Sequence, residues 1–320
     1  MKKILIIFLL IQSSVIFGQG MMGPYWLYDN SYLTDKYIIN PAFAGNQYYP
    51  KVFINTQRME MQLPDAPSIH IVGVHSRLGV KRNYINKYLS NDRSARNAVG
   101  GLMFADNNGP FQTIGLKLDY AYSIPLNDEN TSLSFGFGGM LFSKRIRLDK
   151  YNSVNDPLIA ENMGNNVMIP DFNTGVVLFH NKFFAGFSVS QLLENSYLFS
   201  KHTYTPAQVY RNYYLLAGYR FKYGIFELKP SIAIGHNLAS ESYGNNGKFA
   251  DVNIECFLEP IVFAVSYRVD SYITTSLLYR AQDLEVGVRT ELFSTNNTDA
   301  RLSSVALMAS YTFLPSSVRR

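Results

Sequence analysis

The chain has one cysteine, Cys256, which excludes an internal disulfide and any site built from several thiolates. Charge is also scarce: Asp, Glu, Lys and Arg supply 17% of the 320 residues, against about a quarter in a typical soluble protein. The formal charge of +5 is spread along the chain without a basic block, so nucleic acid is not an expected partner. Beyond the amino-terminal apolar segment no run approaches the roughly 18 consecutive apolar residues that a membrane helix needs. Tryptophan occurs once, whereas Tyr and Phe number 23 and 22. Hydrophobic residues reach 47%, yet mean hydropathy is close to zero. Two-faced strands produce that combination. Cys256 falls in such a strand-like run and is expected to be a buried small hydrophobe.

The five histidines, His70, His75, His180, His202 and His236, lack metal-site spacing. His70 and His75 are an odd number of residues apart, so a strand sends them to opposite faces. Serines such as Ser188 and Ser190 lie in no Gly-x-Ser-x-Gly elbow. Gly136-x-Gly138-Gly139 sits inside an alternating run with no following helix to hold a phosphate, so curvature and close packing explain it better. No cofactor, metal or catalytic residue is expected, and the chain is expected not to be an enzyme.

Residues 1–18 read as a secretory signal peptide: Lys2 and Lys3, an apolar run from Ile4 to about Phe17, then the small residue Gly18. Residues 19–50 are rich in Tyr and Asn, are broken by Pro24, Pro41 and Pro50, and lack sustained alternation. They are expected to form a short segment that plugs or caps the domain built from the remaining chain.

From residue 51 to 320 the period is two. Ile114, Leu116, Leu118, Tyr120, Tyr122 and Ile124 share one face, opposite Thr113, Gly115, Lys117, Asp119, Ala121 and Ser123. Leu284, Val286, Val288 and Leu292 likewise oppose Asp283, Glu285, Arg289 and Glu291. The apolar faces carry aliphatics in mid-strand and aromatics towards the ends, the arrangement of a lipid-facing band with aromatic girdles. The spacing predicts about fourteen strands of roughly ten residues, hence an all-β, transmembrane antiparallel β-barrel in the outer membrane. Tight reversals are expected at His180-Asn181-Lys182, Lys222-Tyr223-Gly224 and Glu259-Pro260, and long connections at 79–96, 146–170, 192–210, 238–248 and 293–302.

Ordered motifs then add a resemblance. Asn40-Pro41-Ala42-Phe43-Ala44-Gly45 follows a tyrosine-rich stretch, and Ala66-Pro67, Gly109-Pro110, Tyr120-Ala121-Tyr122 and Leu133-Ser134-Phe135-Gly136 come next. Ala217-Gly218-Tyr219, Glu227-Leu228-Lys229-Pro230-Ser231, Asp251-Val252-Asn253 and Ser266-Tyr267-Arg268 complete the series. Together they resemble the PorP/SprF family of type IX secretion system membrane proteins from Bacteroidetes. Gln57-Arg58-Met59 departs from the Arg and Trp of that pattern, and Leu314 to Arg320 extend past the usual final aromatic. The resemblance implies a non-catalytic outer-membrane component that helps deliver or attach secreted proteins or gliding adhesins at the cell surface. Its implied partners are outer-membrane lipid, other type IX components and the carboxy-terminal domain of a secreted cargo or adhesin.

Two groups of residues are candidates for a site. Asn40 to Gly45 (Asn40, Pro41, Ala42, Phe43, Ala44, Gly45) could be a plug or docking element, because two Ala and a Gly permit close backbone approach; a simple proline turn into the first strand is the competing reading. The inward-facing charges Lys117, Asp119, Arg220, Glu227, Lys229, Arg268, Asp283, Glu285, Arg289 and Glu291 could form a lumen network. Their mixed signs favour pairing over a selectivity ring. A transport channel for small hydrophobic or polar solutes is the alternative function.

Overall fold

The computed structural model describes residues 30–47, 49–59, 61, 66–79, 95–126, 130–147, 166–197, 207–237, 248–269, 272–293 and 301–314. The expected signal peptide lies outside them. The strands are β1 Lys51–Met59, β2 Ser68–Arg77, β3 Asn97–Asn108, β4 Phe111–Pro125, β5 Thr131–Ile146, β6 Asn166–His180, β7 Phe183–Ser190, β8 Ser196–Tyr197, β9 Ala207–Gln208, β10 Asn212–Tyr219, β11 Phe221–Tyr223, β12 Phe226–Asn237, β13 Lys248–Leu258, β14 Ile261–Arg268, β15 Tyr272–Ala281, β16 Leu284–Phe293 and β17 Arg301–Thr312. No described helix is long and apolar enough to cross a membrane.

Every pairing in the main sheet is antiparallel, and all join sequence neighbours except β1 with β17, β7 with β10 and β10 with β12. Pairing of β10 with β12, from Asn212↔Asn237 to Gly218↔Ser231, closes the sheet. The strand β11 continues β10 past Arg220, whose N–H donates to the Lys182 carbonyl. The wall is thus a closed antiparallel barrel of fourteen strands, as the alternation predicts. Closure pairs the backbone N–H and C=O groups that hydrocarbon cannot satisfy.

Alternation sorts the side chains as expected. On β4, Lys117 is 3% exposed while its neighbour Leu118 is 59% exposed. Bare aliphatic and aromatic surface of this extent around a whole barrel is lipid-facing surface. Cys256 lies on that outer side, between exposed Ile254 and Leu258, and is half-buried rather than buried.

One end of the barrel carries the tight turns Asn181-Lys182, Gly224-Ile225, Glu259-Pro260 and Gln282-Asp283, together with the start of β1 and the end of β17. The opposite end carries the connections 147–165, 191–211, 238–247 and 294–300. In bacterial outer-membrane barrels short turns face the periplasm and long loops the outside. Three connections break the contrast, one of them the three-residue link 269–271 between β14 and β15 at the long-loop end. The stretch 78–96 joins β2 to β3 at the short-turn end, because an even register returns the chain there, and Gly109-Pro110 makes a tight turn at the long-loop end.

Two expected loops also carry more strand than their composition suggests. β6 begins at Asn166 rather than near 171, because Asn166 to Pro170 pair with Arg145 to Leu141 of the long β5. Within 191–211, β8 pairs with β9 and places Tyr197 and Val209 in the interior core.

Candidate functional site

The interior is occupied by a strap formed from residues 30–46. It contains three 3-10 turns, Asn30–Leu33, Lys36–Ile38 and Pro41–Phe43. Capping explains the last two: the Asp35 carboxylate accepts from the Tyr37 N–H, and the Asn40 side chain accepts from the Ala42 N–H, with Pro41 opening its turn. Gly45 then reverses the chain at φ +66°, where a Cβ would lie 2.7 Å from Ala98 Cβ and 2.9 Å from the Arg77 nitrogen. Tyr32, Tyr37, Ile38, Ile39 and Phe43 join Phe53, Ile69, Ile71, Phe104, Phe142 and Ile169 of the wall in one apolar core.

The wall is shaped to receive the strap. Gly136 and Gly175 face inward, and a Cβ at either would sit 2.3 Å from the Ala42 nitrogen or 2.2 Å from Asn40 Oδ1. At Gly100 it would meet the Tyr37 ring at 2.5 Å. Around these flat places the wall supplies donors to the strap's carbonyls. Ser134 Oγ donates to the Ala42 oxygen at 3.0 Å, and Ser188 Oγ to the Ile39 oxygen at 2.9 Å. Lys117 Nζ donates to the Tyr37 and Ile38 oxygens at 3.2 and 3.1 Å. Asn40 Nδ2 returns a bond to the Phe187 carbonyl at 3.3 Å. Phe43 meets Phe179 and Phe184 edge-on.

Two polar nodes fasten the strap's ends. Near the long-loop end, six strands present inward-facing polar residues in direct register: Ser231, Asn253, Ser266, Thr274, Glu291 and Ser304. Asn30 rests on this belt, donating to Thr274 Oγ1 at 2.7 Å and to Glu291 Oε1 at 3.2 Å. Arg268 grips Asp251 with two bonds, 2.6 and 2.7 Å, and donates to Asn30 Oδ1 at 3.0 Å. Arg289 donates to the Asn30 carbonyl at 2.7 Å, and Tyr32 Oη donates to Asp251 at 2.7 Å. Burial, then the adjacent Asp251 carboxylate, pushes the Tyr32 hydroxyl well above its ordinary pKa.

The second node lies near the short-turn end. Asp35 Oδ2 sits 2.7 Å from Lys51 Nζ and 3.2 Å from His75 Nε2, while Gly45 N–H donates to His75 Nδ1 at 3.1 Å. Burial opposes ionisation of Asp35, but the charge of Lys51 and the hydrogen bonds from Lys51 and His75 outweigh it, and the carboxyl is held well below the usual carboxylate range.

The expected charge set divides by depth. Lys117 pairs with Asp119 at 3.2 Å beneath Tyr37, and Asn173 donates to Asp119. Arg268, Arg289 and Glu291 meet at the Asn30 node. Arg220, Glu227 and Lys229 form a separate group, with Glu227 2.9 Å from Lys229 and 3.7 Å from Arg220. Glu285 pairs with Arg280. Asp283 lies in the turn before β16, lines the larger cavity together with Glu285, and accepts from Tyr311 Oη at 3.4 Å. The set is therefore not one network. Asp35, Lys51, His75, Asn30 and Asp251 complete the two nodes and stand outside both candidate groups; parity puts Asp251, Lys51 and His75 inward, but no pattern along the chain links them to the strap.

Beneath the Asn30 node, two cavities of about 330 and 670 Å³ open towards the short-turn end. Their walls include Arg220, Glu227, Lys229, Phe257, Arg280 and Glu285. Among the described residues no group of three His, Cys, Asp or Glu could hold a metal ion.

Known proteins with this architecture are outer-membrane barrels. The CymD monoaromatic hydrocarbon channel superposes with a TM-score of 0.50 at 11% identity, covering 88% of this chain and 93% of its own. The toluene transporter TbuX of Ralstonia pickettii gives 0.47 at 9% identity, covering 90% of this chain and 93% of its own. Identities this low establish the fold alone. No curated protein matches the chain. The family model for the type IX secretion system membrane protein PorP/SprF matches residues 25–311, so this outer-membrane barrel belongs to the PorP/SprF family of type IX secretion system membrane proteins.

Proposed function

We propose that the protein is a non-catalytic, non-conducting component of the type IX system that helps deliver or hold secreted proteins or adhesins at the cell surface. The observation that carries this reading is the strap. Residues 30–46 occupy the interior with apolar packing and two buried polar nodes, so the wall and the long connections, rather than a through-pore, are the surfaces available to cargo. In this reading residues 1–18 are cleaved on export and residues 19–50 act as the plug. Asn40 to Gly45 is its seat against Gly136 and Gly175, and the paired lumen charges are structural. A secreted cargo or adhesin carboxy-terminal domain is the partner on the outside.

Deletion of the gene tests this. A specific set of type IX cargo should leave the cell surface and accumulate in the periplasm or medium; unchanged surface localisation of all such cargo contradicts the proposal. The alternative, a channel for small hydrophobic or polar solutes, draws on the cavities at the short-turn end. It requires a steady conductance or solute flux that the intact strap should block.

A further inference from the structure

At the long-loop end, strands β1 to β6 carry a polar row on their outer face. Arg58, Ser68, Asn107, Gln112, Arg145 and Asn166 stand directly opposite one another across successive strand pairs. Parity turns them outward, since Met59, Ile69, Asp106, Thr113 and Lys144 beside them are buried and Asn166 is itself exposed. Asn107 Nδ2 donates to Ser68 Oγ at 3.3 Å, Gln112 Nε2 to Asn107 Oδ1 at 2.7 Å, and Arg145 Nε to Gln112 Oε1 at 2.5 Å. The terminal nitrogens of Arg145 and the whole Arg58 guanidinium have no protein partner among the described residues. Such a row is costly against hydrocarbon, so its height matters. On β4 the outward apolar run from Ile114 to Ile124 covers ten residue steps. That is about 34 Å of strand, or roughly 26 Å along the membrane normal at a tilt of about 40°, the height of an outward apolar band. Gln112 lies just beyond it, at headgroup level. The opposite rim differs. It presents Tyr219, Phe221, Phe226 and Tyr279 outward and, from its described strands, no outward Lys, Arg, Asp or Glu. Every Asp and Glu of a described strand faces inward, so the outward charge of the row is entirely positive.

We propose that this row docks a phosphate-bearing glycolipid of the outer leaflet. Arg58 and Arg145 take its phosphates, for which a planar guanidinium supplies paired donors. The amides of Asn107 and Gln112 lie between them and face the sugar hydroxyls. Arg58 and Arg145 are four strand spacings apart, about 19 Å along the wall, and two long side chains narrow that span towards one headgroup phosphorylated at both ends. The occupant is a lipid rather than a free anion because the apolar wall continues directly below the row. Met103, Ile114 and Leu141 are bare there, and acyl chains cover what a phosphate ion would leave exposed. The site needs the long-loop end to face outward and is independent of which cargo is served.

The test uses the full-length protein in phosphate-free detergent, with bound lipid counted by native mass spectrometry. The probes are bis-phosphorylated lipid A, the same lipid after dephosphorylation, and phosphatidylglycerol. The parent should retain phosphorylated lipid A, and loss of its phosphates should cut retention about tenfold. Arg58→Gln combined with Arg145→Gln should cut it by a similar factor, with heat-dependent gel mobility confirming a folded barrel. Lys182→Gln, at a short turn, should leave it within about twofold. Retention by the parent that is indifferent to dephosphorylation overturns the proposal, and this arm needs no variant. So does undiminished retention by the folded double variant, or an equal loss on Lys182→Gln. Stronger retention of phosphatidylglycerol at equal phosphate overturns the assignment to the outer leaflet. Displacement of lipid A by millimolar inorganic phosphate overturns the assignment to a lipid.

Discussion

Arg268 and Asn30, 238 positions apart in sequence, meet at 3.0 Å inside the barrel. The contact joins the last residue of β14 to the first described residue of the strap, and both side chains have further partners in Asp251, Thr274 and Glu291. A strap held only by apolar packing could slide along a smooth lumen. Hydrogen bonds to charged groups fix its register, and leaving them unmade in a buried place is expensive.

Asn30→Ala should therefore loosen the strap without unfolding the wall. It removes acceptors and donors from Arg268, Thr274 and Glu291, a loss of about 1–3 kcal/mol. The expected result is a lower midpoint temperature in a heat-dependent gel-mobility assay, with an unchanged strand signal by circular dichroism at room temperature.

Asp251→Ala should be more damaging than the pair of changes Asp251→Leu with Arg268→Leu. Alone it strips the buried Arg268 guanidinium of a bidentate partner, which typically costs about 3–5 kcal/mol, whereas removing both charges leaves none uncompensated. A double-mutant cycle on the same thermal midpoint measures the coupling; strictly additive effects contradict it.

Two glycines on one strand should answer oppositely to the same change. A Cβ at Gly136 would meet the strap backbone at 2.3–2.7 Å, whereas at Gly139 its first neighbour is Phe172 at 3.8 Å. Gly136→Val is expected to displace the strap and expose it to protease added to purified protein. Gly139→Val should leave the digestion pattern of the parent.

The Asp35 node sets an expectation for acid. Its folded carboxyl has a pKa below that of the unfolded chain, so its contribution is complete above the unfolded value of about 3.9. It is lost only as pH falls through the lower folded value. Protease protection of the strap should thus be unchanged between pH 7 and pH 4.5. Asp35→Asn, which removes the counter-charge of Lys51, should reduce protection throughout that range. Loss of protection in the parent between pH 6 and pH 4.5 would contradict the assignment.

The wall is almost fully legible in the sequence, because alternation is a local property and lipid selects one face directly. Ile114 to Ile124 and Leu284 to Leu292 announce both faces without any knowledge of their neighbours. The strap is legible only as a segment that is not strand. Asn40, Pro41 and Gly45 mark its turns, but the glycines that receive it, Gly136 and Gly175, lie in other strands and look like ordinary barrel glycines. The nodes are least legible. Asp35, Lys51 and His75 come from three separate stretches, and whether Arg289 faces water, a partner or a backbone carbonyl depends on how the barrel closes.

Single-channel recording in planar bilayers tests the central claim most directly, comparing the purified parent with a variant lacking residues 30–46. A sealed lumen predicts no steady conductance in the parent and frequent, ion-permeable openings in the variant. A large steady conductance in the parent, equal to that of the variant, would show that the strap does not close the barrel.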